Sequence, residues 1–352
     1  MAALSPIVQR AECFLRDEVA PRAQEMDRDP EVLRQALRGM AELGLLALRR
    51  PNDYGGPDVS DIDFRYFQEA VARRSGALSF LQTQHQSAVS LIAKGMNDHL
   101  KSEYLLKMAD GEKLVGIGFS QLRRPGPPIM TASHAPGGYT LDGQVPWITG
   151  WTFFPEYLVA ASLPDGRALF AVVPFSEQKG ARVSPPMRLA AMESAQTVSM
   201  EYSGFFVAHE QVSAIQPVGW IRNNDQINVA LQRHFALGCC QAGLDILLQA
   251  AERRGLPFVK EVHDELAAEL ERCRAVAGVD PKDGQATEER LEARAWTIEL
   301  AVRIAHAAVA SCSGAANSLA HPAQRVYREA LVYTVSAQTT AVMEATLRRL
   351  VR

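Results

Sequence analysis

The sequence lacks the features that would direct it to a membrane, an oxidising compartment or a nucleic acid. It has no run of roughly 20 apolar residues, the length that a membrane span requires, and its N-terminus lacks the uninterrupted apolar core of a signal peptide. Its five cysteines are an odd set without metal-ligand spacing, which favours reduced thiols. The formal net charge is −3, too small for general attraction to nucleic acid or anionic lipid. We therefore expect a soluble, cytoplasmic protein that binds neither.

The common local motifs of catalysis and phosphate binding are also missing. There is no Walker loop, Gly-x-Ser-x-Gly elbow, His-Glu-x-x-His or paired-cysteine motif, and the histidines are scattered. These absences argue against P-loop enzymes, α/β-hydrolases and zinc proteases. We expect no metal site.

Three segments with different periodicity are present within the 352 residues. Residues 1–112 are predicted to be helical, with start signals at Ser5-Pro6 and Asp29-Pro30. Residues 113–218 contain short stretches rich in β-branched and aromatic residues, separated by Gly, Pro or Asp-Gly turns. Residues 219–352 return to the helical period. The order of helices, β-domain and helical bundle predicts an α+β fold.

Three local predictions can be tested against the structure. A β-hairpin is expected to turn at Asp142-Gly143. One long amphipathic helix is expected between Leu291 and Val309, and a polar loop is expected over Gly278–Gln285.

Four motifs follow one another along the chain in a characteristic order. They are Pro51-Asn-Asp-Tyr-Gly-Gly56, Gly118-Phe119-Ser120, Gly143-Gln144 with Trp147-Ile148-Thr149-Gly150, and Gly314 through Pro322 to Arg328-Glu329-Ala330. Together they resemble the corresponding segments of the acyl-CoA dehydrogenases, and the resemblance covers nearly the whole chain. It implies an N-terminal helical domain (1–112), a flavin-contacting β-barrel or sandwich domain (113–218) and a C-terminal helical bundle (219–352).

The resemblance also implies an FAD cofactor and the residues that contact it. Trp147 and Thr149 lie on one face of a strand, because adjacent strand residues point to opposite faces. In the family the tryptophan packs near the flavin ring and the threonine hydroxyl bonds its edge. The expected cofactor-binding residues are therefore Phe119, Ser120, Trp147, Ile148 and Thr149.

The family's catalytic base is absent from its usual position. Most members use the Glu of a Tyr-Glu-Gly-Thr segment, which falls on Ser336–Thr339 here and places Ala337 at the base. The stretch Gln232–His234, which matches an alternative location, has no carboxylate either. Loss of a general base typically costs about 10²–10⁴ in rate.

Two further segments differ from the family pattern. The loop from Ser120 to Pro127 loses the serine near the pantetheine arm of CoA and gains Arg123 and Arg124, which could pair with phosphate. The segment that normally reaches the FAD of the partner subunit is only partly matched by Arg253–Phe258. The second difference predicts a reduced FAD affinity.

Other polar residues are candidates for chemistry. His85 lies in the polar run Gln82–Ser87 of an otherwise apolar helix and could act as acid or base near neutral pH. The helix is similar to the one that borders the substrate cavity in the family. Ser336 is a second candidate, and Glu329 is expected to be an ion-pair partner.

Three functions remain open at this point. The first is an FAD-dependent oxidoreductase of fatty acid metabolism, which acts on the α,β-bond of acyl-CoA or another acyl thioester and passes electrons to an electron-transfer flavoprotein. The second is a flavin monooxygenase of the same fold, which uses His85 and a flavin reductase. The third is a non-catalytic partner subunit of an acyl-CoA dehydrogenase. A homodimer or homotetramer is implied by the resemblance.

Overall fold

The computed structural model describes residues 4–276 and 287–351. The predicted polar loop Gly278–Gln285 lies outside these residues. Within them, no helix combines the length and apolar character needed to cross a bilayer.

Six helices form the N-terminal part of the fold. Two of them begin at a proline, as predicted: α1 follows Ser5, and α3 follows Asp29, whose carboxylate accepts a hydrogen bond from the Glu31 amide at 2.8 Å. Proline suits the first turn of a helix because its missing N–H would have no partner there. The helices are α1 (Pro6–Phe14), α2 (Ala23–Met26), α3 (Pro30–Glu42), α4 (Asp61–Arg74), α5 (Gly76–Lys94) and α6 (Asp98–Tyr104).

The turn between α3 and α4 explains one of the sequence motifs. Gly55 adopts a left-handed φ of +73°. A Cβ on Gly56 would lie 1.9 Å from the carbonyl oxygen of Arg50, so no side chain fits at that position. The Arg50 guanidinium donates to the Gly55 carbonyl at 2.6 Å and closes the turn. The two glycines are thus required by backbone conformation and by close approach, respectively.

The middle of the chain forms a mixed, eight-stranded sheet. Seven strands follow the order β6-β7-β3-β2-β4-β5-β8, and β1 pairs in parallel with β4. The strands are β1 (Val115–Gly118), β2 (Met130–Ala135), β3 (Gly138–Thr149), β4 (Glu156–Ser162), β5 (Ala168–Pro174), β6 (Ala181–Val183), β7 (Thr197–Ala208) and β8 (Val212–Gln216).

The prediction of a hairpin turn at Asp142-Gly143 is wrong. The β2–β3 hairpin turns earlier, next to the pair Ala135–Gly138, and Asp142 and Gly143 lie inside β3. The register of β3 with β7 is irregular between Leu141 and Gly143, and Gly143 has a φ of +119°. The Asp-Gly pair therefore forms an irregularity within a long strand rather than its end.

Six helices follow the sheet. The amphipathic pattern from Leu291 to Val309 is confirmed as part of a 26-residue helix, α10. A Cβ on Gly238 of α8 would lie 2.3 Å from the Glu69 carbonyl of α4, so these two helices are in direct backbone contact. The helices are α7 (Trp220–Leu231), α8 (Arg233–Arg254), α9 (Pro257–Val276), α10 (Thr287–Cys312), α11 (Pro322–Val335) and α12 (Thr340–Arg349).

The predicted α+β architecture is confirmed, with a helical part, a sheet and a second helical part in that order. We propose 112/113 and 218/219 as the domain boundaries. The first falls between α6 and β1, and the second between β8 and α7, so neither interrupts a helix or a strand.

Candidate functional site

The predicted flavin-contacting residues come from two segments of the sheet that lie side by side. Gly118 ends β1, and a Cβ on it would lie 3.0 Å from Cγ1 of Val145 in β3. Phe119 and Ser120 follow directly after Gly118. The fold therefore brings Ser120 next to the strand that carries Trp147.

The end of β3 presents an aromatic surface above a well-packed layer. Trp147 is 51% exposed, whereas Ile148 is fully buried and belongs to the core. Thr149 is 6% exposed, and its Oγ1 is 3.0 Å from Oγ1 of Thr197 in β7. The register irregularity between Val145 and Ile148 lies at Trp147, so the indole projects where the ladder is interrupted.

The hydroxyl of Ser120 is buried, and it has no hydrogen-bond partner among the described residues. Buried polar groups are normally paired, so an unpaired one indicates a missing partner. The two hydroxyls of Thr149 and Thr197 share one hydrogen bond, which leaves one O–H proton available. Phe119 packs against Phe170 and Trp220.

This surface fits the ring of a flavin. An isoalloxazine ring needs an apolar or aromatic wall and hydrogen-bond donors at its polar edge. Trp147 is an exposed aromatic residue, and Ser120 and the threonine pair each have an O–H group that no described residue accepts from, so the residue types match this requirement. Ile148 contributes from the opposite face, where it fixes the strand in the core.

The two arginines that follow Ser120 differ in their surroundings. Arg123 makes a bidentate ion pair with Asp225 of α7, with the shortest N–O distance at 2.7 Å. Arg124 is exposed. The pairing joins the β-domain to the C-terminal helices, so Arg123 is already neutralised, and the prediction of phosphate binding rests on Arg124.

The segment Arg253–Phe258 forms the junction between α8 and α9. Gly255 ends α8 in a left-handed conformation, and Arg254 donates to the Ser311 carbonyl at 2.8 Å. Phe258 is 61% exposed. Arg254 thus binds the end of α10 in its own chain.

Ala337 lies in the turn between α11 and α12 with a φ of +47°. The carbonyl of the preceding Ser336, which ends α11, accepts a hydrogen bond from Nη2 of Arg294 at 3.2 Å. Thr339 then caps α12 by accepting from the Val342 amide. The position predicted for the missing base is therefore a half-buried turn next to a guanidinium.

Glu329 is fully buried one helical turn from Arg325, and their side chains pair at 2.6 Å. The expected ion-pair role is confirmed, although the partner is Arg325, since the adjacent Arg328 pairs with Asp27. The Gly76 amide also donates to Glu329, and a Cβ on Gly76 would lie 2.7 Å from both the Glu329 carboxyl carbon and the Met192 methyl. Burial raises the pKa of Glu329, and the positive charge of the Arg325 guanidinium acts in the opposite direction.

Another buried carboxylate, Glu69, was missed by the sequence analysis. Glu69 of α4 lies 3.8 Å from Nδ1 of His234 and pairs with Arg274 of α9. Burial lowers the pKa of His234. The stretch around His234 has no carboxylate of its own, but packing of α4 on α8 brings one there. No signal in the local sequence could indicate a contact between residues 165 positions apart.

His85 is fully buried between α5 and the start of the sheet. Its Nδ1 accepts from the Val115 amide at 3.0 Å, and its Nε2 is 2.9 Å from the Met108 carbonyl, which fits a neutral ring protonated at Nε2. Burial lowers the pKa of His85 from its ordinary value of 6.5. Because both nitrogens are bound to backbone, we propose that His85 joins α5 to β1 and does not transfer protons.

We expect His85 to make the fold sensitive to mild acid. Below pH 6.5 the unfolded chain binds a proton that the folded chain does not, so stability is lost as pH falls, by up to about 1.4 kcal/mol per pH unit. Urea unfolding from pH 7.5 to 5.0 measures this slope. The slope should be smaller in the His85→Gln variant than in the parent protein. It should be unchanged in the His99→Gln variant, because the His99 side chain is 72% exposed.

Two clefts on the described surface lie away from Trp147. One of about 490 Å³ lies between α1 and α3 and includes Phe14 and Gly39. The other, of about 230 Å³, lies beside the Pro51 turn and includes Arg49 and Lys94.

Comparisons with known proteins agree with this architecture. Residues 4–112 match the family model described as acyl-CoA dehydrogenase, N-terminal domain. The chain is 22% identical to the probable acyl-CoA dehydrogenase YngJ of Bacillus subtilis, over 96% of this chain and 94% of that protein.

Solved structures show the same fold. Butyryl-CoA dehydrogenase from Megasphaera elsdenii has a TM-score of 0.81 at 18% identity, and each chain is covered completely. An acyl-CoA dehydrogenase complexed with FAD from Bacillus anthracis has a TM-score of 0.79 at 21% identity, over 98% of this chain and 66% of that one. Together with the four motifs in order, these comparisons indicate the acyl-CoA dehydrogenase family: residues 4–112 match its N-terminal domain, and the whole chain has the fold of its solved members.

Proposed function

We propose that the protein is an FAD-dependent oxidoreductase that acts on the α,β-bond of an acyl thioester. The observation that supports this best is the half-exposed indole of Trp147, on a strand adjacent to the segment in which the hydroxyl of Ser120 is buried and unpaired. An FAD-bound relative of the same fold and the acyl-CoA dehydrogenase homologues are consistent with it. When bound, the flavin would supply hydride acceptance.

The chain's own residues would hold the cofactor and orient it. Trp147 would lie against the ring, and Ser120 would donate to its polar edge together with the hydroxyl pair of Thr149 and Thr197. The buried layer beneath them, which includes Ile148, keeps this surface rigid. Rigid placement of the ring reduces the entropic cost of orienting a substrate against it.

The proton acceptor of the reaction is the incomplete part of the site. The three buried carboxylates of the described residues, Asp27, Glu69 and Glu329, are each paired with an arginine. Ala337 carries only a methyl group. We therefore propose that the base is supplied from outside this set of residues, by substrate or solution.

Flavin binding tests the proposal directly. We expect Trp147→Ala to weaken FAD binding by about tenfold, because an aromatic pair contributes about 0.5–1.5 kcal/mol beyond the area that it buries. Titration of the purified protein with FAD, followed by the visible flavin absorbance or quenching of its fluorescence, measures the affinity. Phe206→Ala is a matched control, since Phe206 is a 49% exposed aromatic residue on the neighbouring strand β7.

Equal FAD affinity in the two variants would contradict the assignment of Trp147, and a wild-type protein that binds no FAD would contradict the flavoenzyme. Where FAD binds, anaerobic addition of acyl-CoA should bleach the flavin. The electron acceptor proposed for the reduced enzyme is an electron-transfer flavoprotein, and its reduction in the same assay would identify it.

Ala337 favours a second candidate function, a non-catalytic subunit that binds the acyl group or FAD and partners an active homologue. The anaerobic assay separates the two, because such a subunit leaves the flavin oxidised with every acyl chain length. The monooxygenase alternative gains no support from His85, since both of its ring nitrogens are bound to backbone.

We further propose that the protein self-associates through its last two helices. Their exposed apolar residues recur at helical spacing, and large exposed apolar patches are uncommon on a monomer. Light scattering after size-exclusion chromatography would measure the oligomeric state, and a monomer would contradict this proposal. The residues are Tyr327, Leu331 and Val335 on α11, with Met343, Leu347 and Leu350 on or just after α12.

A further inference from the structure

Arg294 is a cation buried without a balancing charge. It is 2% exposed and ranks among the largest of the fully buried side chains. The described residues place no carboxylate at ion-pair distance from its guanidinium. Burial, with the adjacent positive charge of Arg233, lowers the pKa of Arg294 to about 9. A charged side chain is seldom buried unless a partner neutralises it.

The hydrogen bonds of Arg294 account for only part of its guanidinium. Nη2 donates to the carbonyls of Tyr333 and Ser336, at 3.4 and 3.2 Å. These bonds cap the end of α11, where a cation is favoured by the helix dipole. Nη1 is buried and has no hydrogen-bond partner in the part of the chain that the structure describes. Capping of α11 therefore accounts for the hydrogen bonds of Nη2 and leaves Nη1 without a partner.

Arg233 adds a second buried cation to the same region. It donates through Nε to Thr297 at 3.0 Å and through Nη2 to the Cys273 carbonyl at 2.9 Å, both neutral acceptors. The carboxylate that acts on it electrostatically, Glu69, is already paired with Arg274. Two guanidinium groups thus share surroundings in which positive charge is in excess.

The turn over Arg294 is small and lies close to solvent. Ser336 and Ala337 are half-buried, and the Ala337 amide follows directly on the carbonyl that Arg294 binds. The side chain at position 337 is a single methyl group. Nη1 belongs to the same planar guanidinium as the nitrogen that binds the Ser336 carbonyl, so an anion bound at this turn would lie close to it.

We propose that Arg294, supported by Arg233, binds a carboxylate at the α11–α12 turn beside Ala337. A carboxylate is the anion that a guanidinium commonly binds in proteins, and Nη1 is the terminal nitrogen of Arg294 that is left to donate to it. The carboxylate comes either from a small free acid or from an acyl substrate that carries a second carboxyl group. The binding site itself does not depend on the proposed function, whereas the second source does.

The test uses the full chain without added FAD, with acetate as the probe. We expect the thermal unfolding temperature to rise with the logarithm of the acetate concentration once this exceeds the Kd, by about 3–4 °C at about one hundred times the Kd. Sodium chloride at the same ionic strength should give no comparable rise. Line broadening of ¹³C-labelled acetate in NMR spectra gives an independent measure of binding.

Two variants identify the residue. Arg294→Met should abolish both the temperature rise and the line broadening, and Arg294→Lys covers the case in which the methionine variant does not fold and should retain weakened binding. Arg303→Met is the control, since Arg303 lies on the same helix and is 46% exposed with Glu269 and Glu299 as partners. It should respond to acetate like the parent protein.

The proposal is overturned if chloride reproduces the acetate effect, if Arg294→Met retains it, or if only inorganic phosphate produces it. The source of the carboxylate follows from competition in the same NMR experiment. Displacement of acetate by succinyl-CoA but not by acetyl-CoA assigns the site to a substrate carboxyl group. Displacement by neither thioester assigns it to a free acid. FAD binding is measured separately, so failure of one proposal leaves the other intact.

Discussion

The Ala337→Glu variant should reduce its bound flavin with acyl-CoA about 10²–10⁴ times faster than the parent protein, because that is the typical contribution of a positioned general base. Ala337 already has a φ of +47°, so another L residue meets the same backbone conformation. The carboxylate would lie near Arg294, which would hold it ionised, the form that accepts a proton. Anaerobic stopped-flow absorbance of the flavin measures the rate.

Ala337→Gln is the control for this experiment, since it has the same length and no basic oxygen. Equal rates in the Glu and Gln variants, with FAD bound in both, would show that position 337 does not face the reacting carbon. Glu at 337 should also compete with acetate for Arg294. The kinetic and binding experiments therefore report on the same turn by different measurements.

Glu329→Gln should lower the free energy of unfolding by about 3–5 kcal/mol, the usual result of removing one partner of a buried ion pair. Arg325 would keep its charge with a side chain only 7% exposed and no longer compensated. Glutamine retains the shape and can still accept from the Gly76 amide, so the loss reports on charge. Urea denaturation at neutral pH measures the difference.

A double-mutant cycle separates the pair from its surroundings. Arg325→Met combined with Glu329→Gln should be less destabilising than the sum of the single changes, because the uncompensated cation is then absent. Additive losses would mean that Arg325 and Glu329 do not stabilise each other. The surface pair Arg348–Glu344, whose side chains are more than half exposed, provides a control cycle with an expected coupling below about 1 kcal/mol.

The sequence predicted the architecture because its signals are local. Proline after a capping residue marked α1 and α3, and apolar periodicity marked α10. The Asp142-Gly143 turn was predicted wrongly for the same reason, since the dipeptide has the propensity of a turn wherever it occurs. Pairing of β3 with both β2 and β7 overrode that preference.

The candidate site was only partly predictable. Ser120 and Trp147 were predicted as site residues because each belongs to a motif, and the structure places their segments side by side. The contact between Glu69 and His234 and the isolation of Arg294 arise from helices distant in sequence. Periodicity would assign Arg294 to a solvated helix face, and only the packing of α11 over α10 shows that it is buried.

The glycine at the start of α5 limits how this protein can be recombined with its relatives. Gly76, Met192 and Glu329 come from the three successive parts of the chain and meet at one point, where a single added carbon would lie 2.7 Å from both neighbours. A chimera that takes one of these segments from a relative would place that relative's residue against two residues that pack with the original one. We expect exchanges to succeed only when residues 76, 192 and 329 are transferred from the same parent.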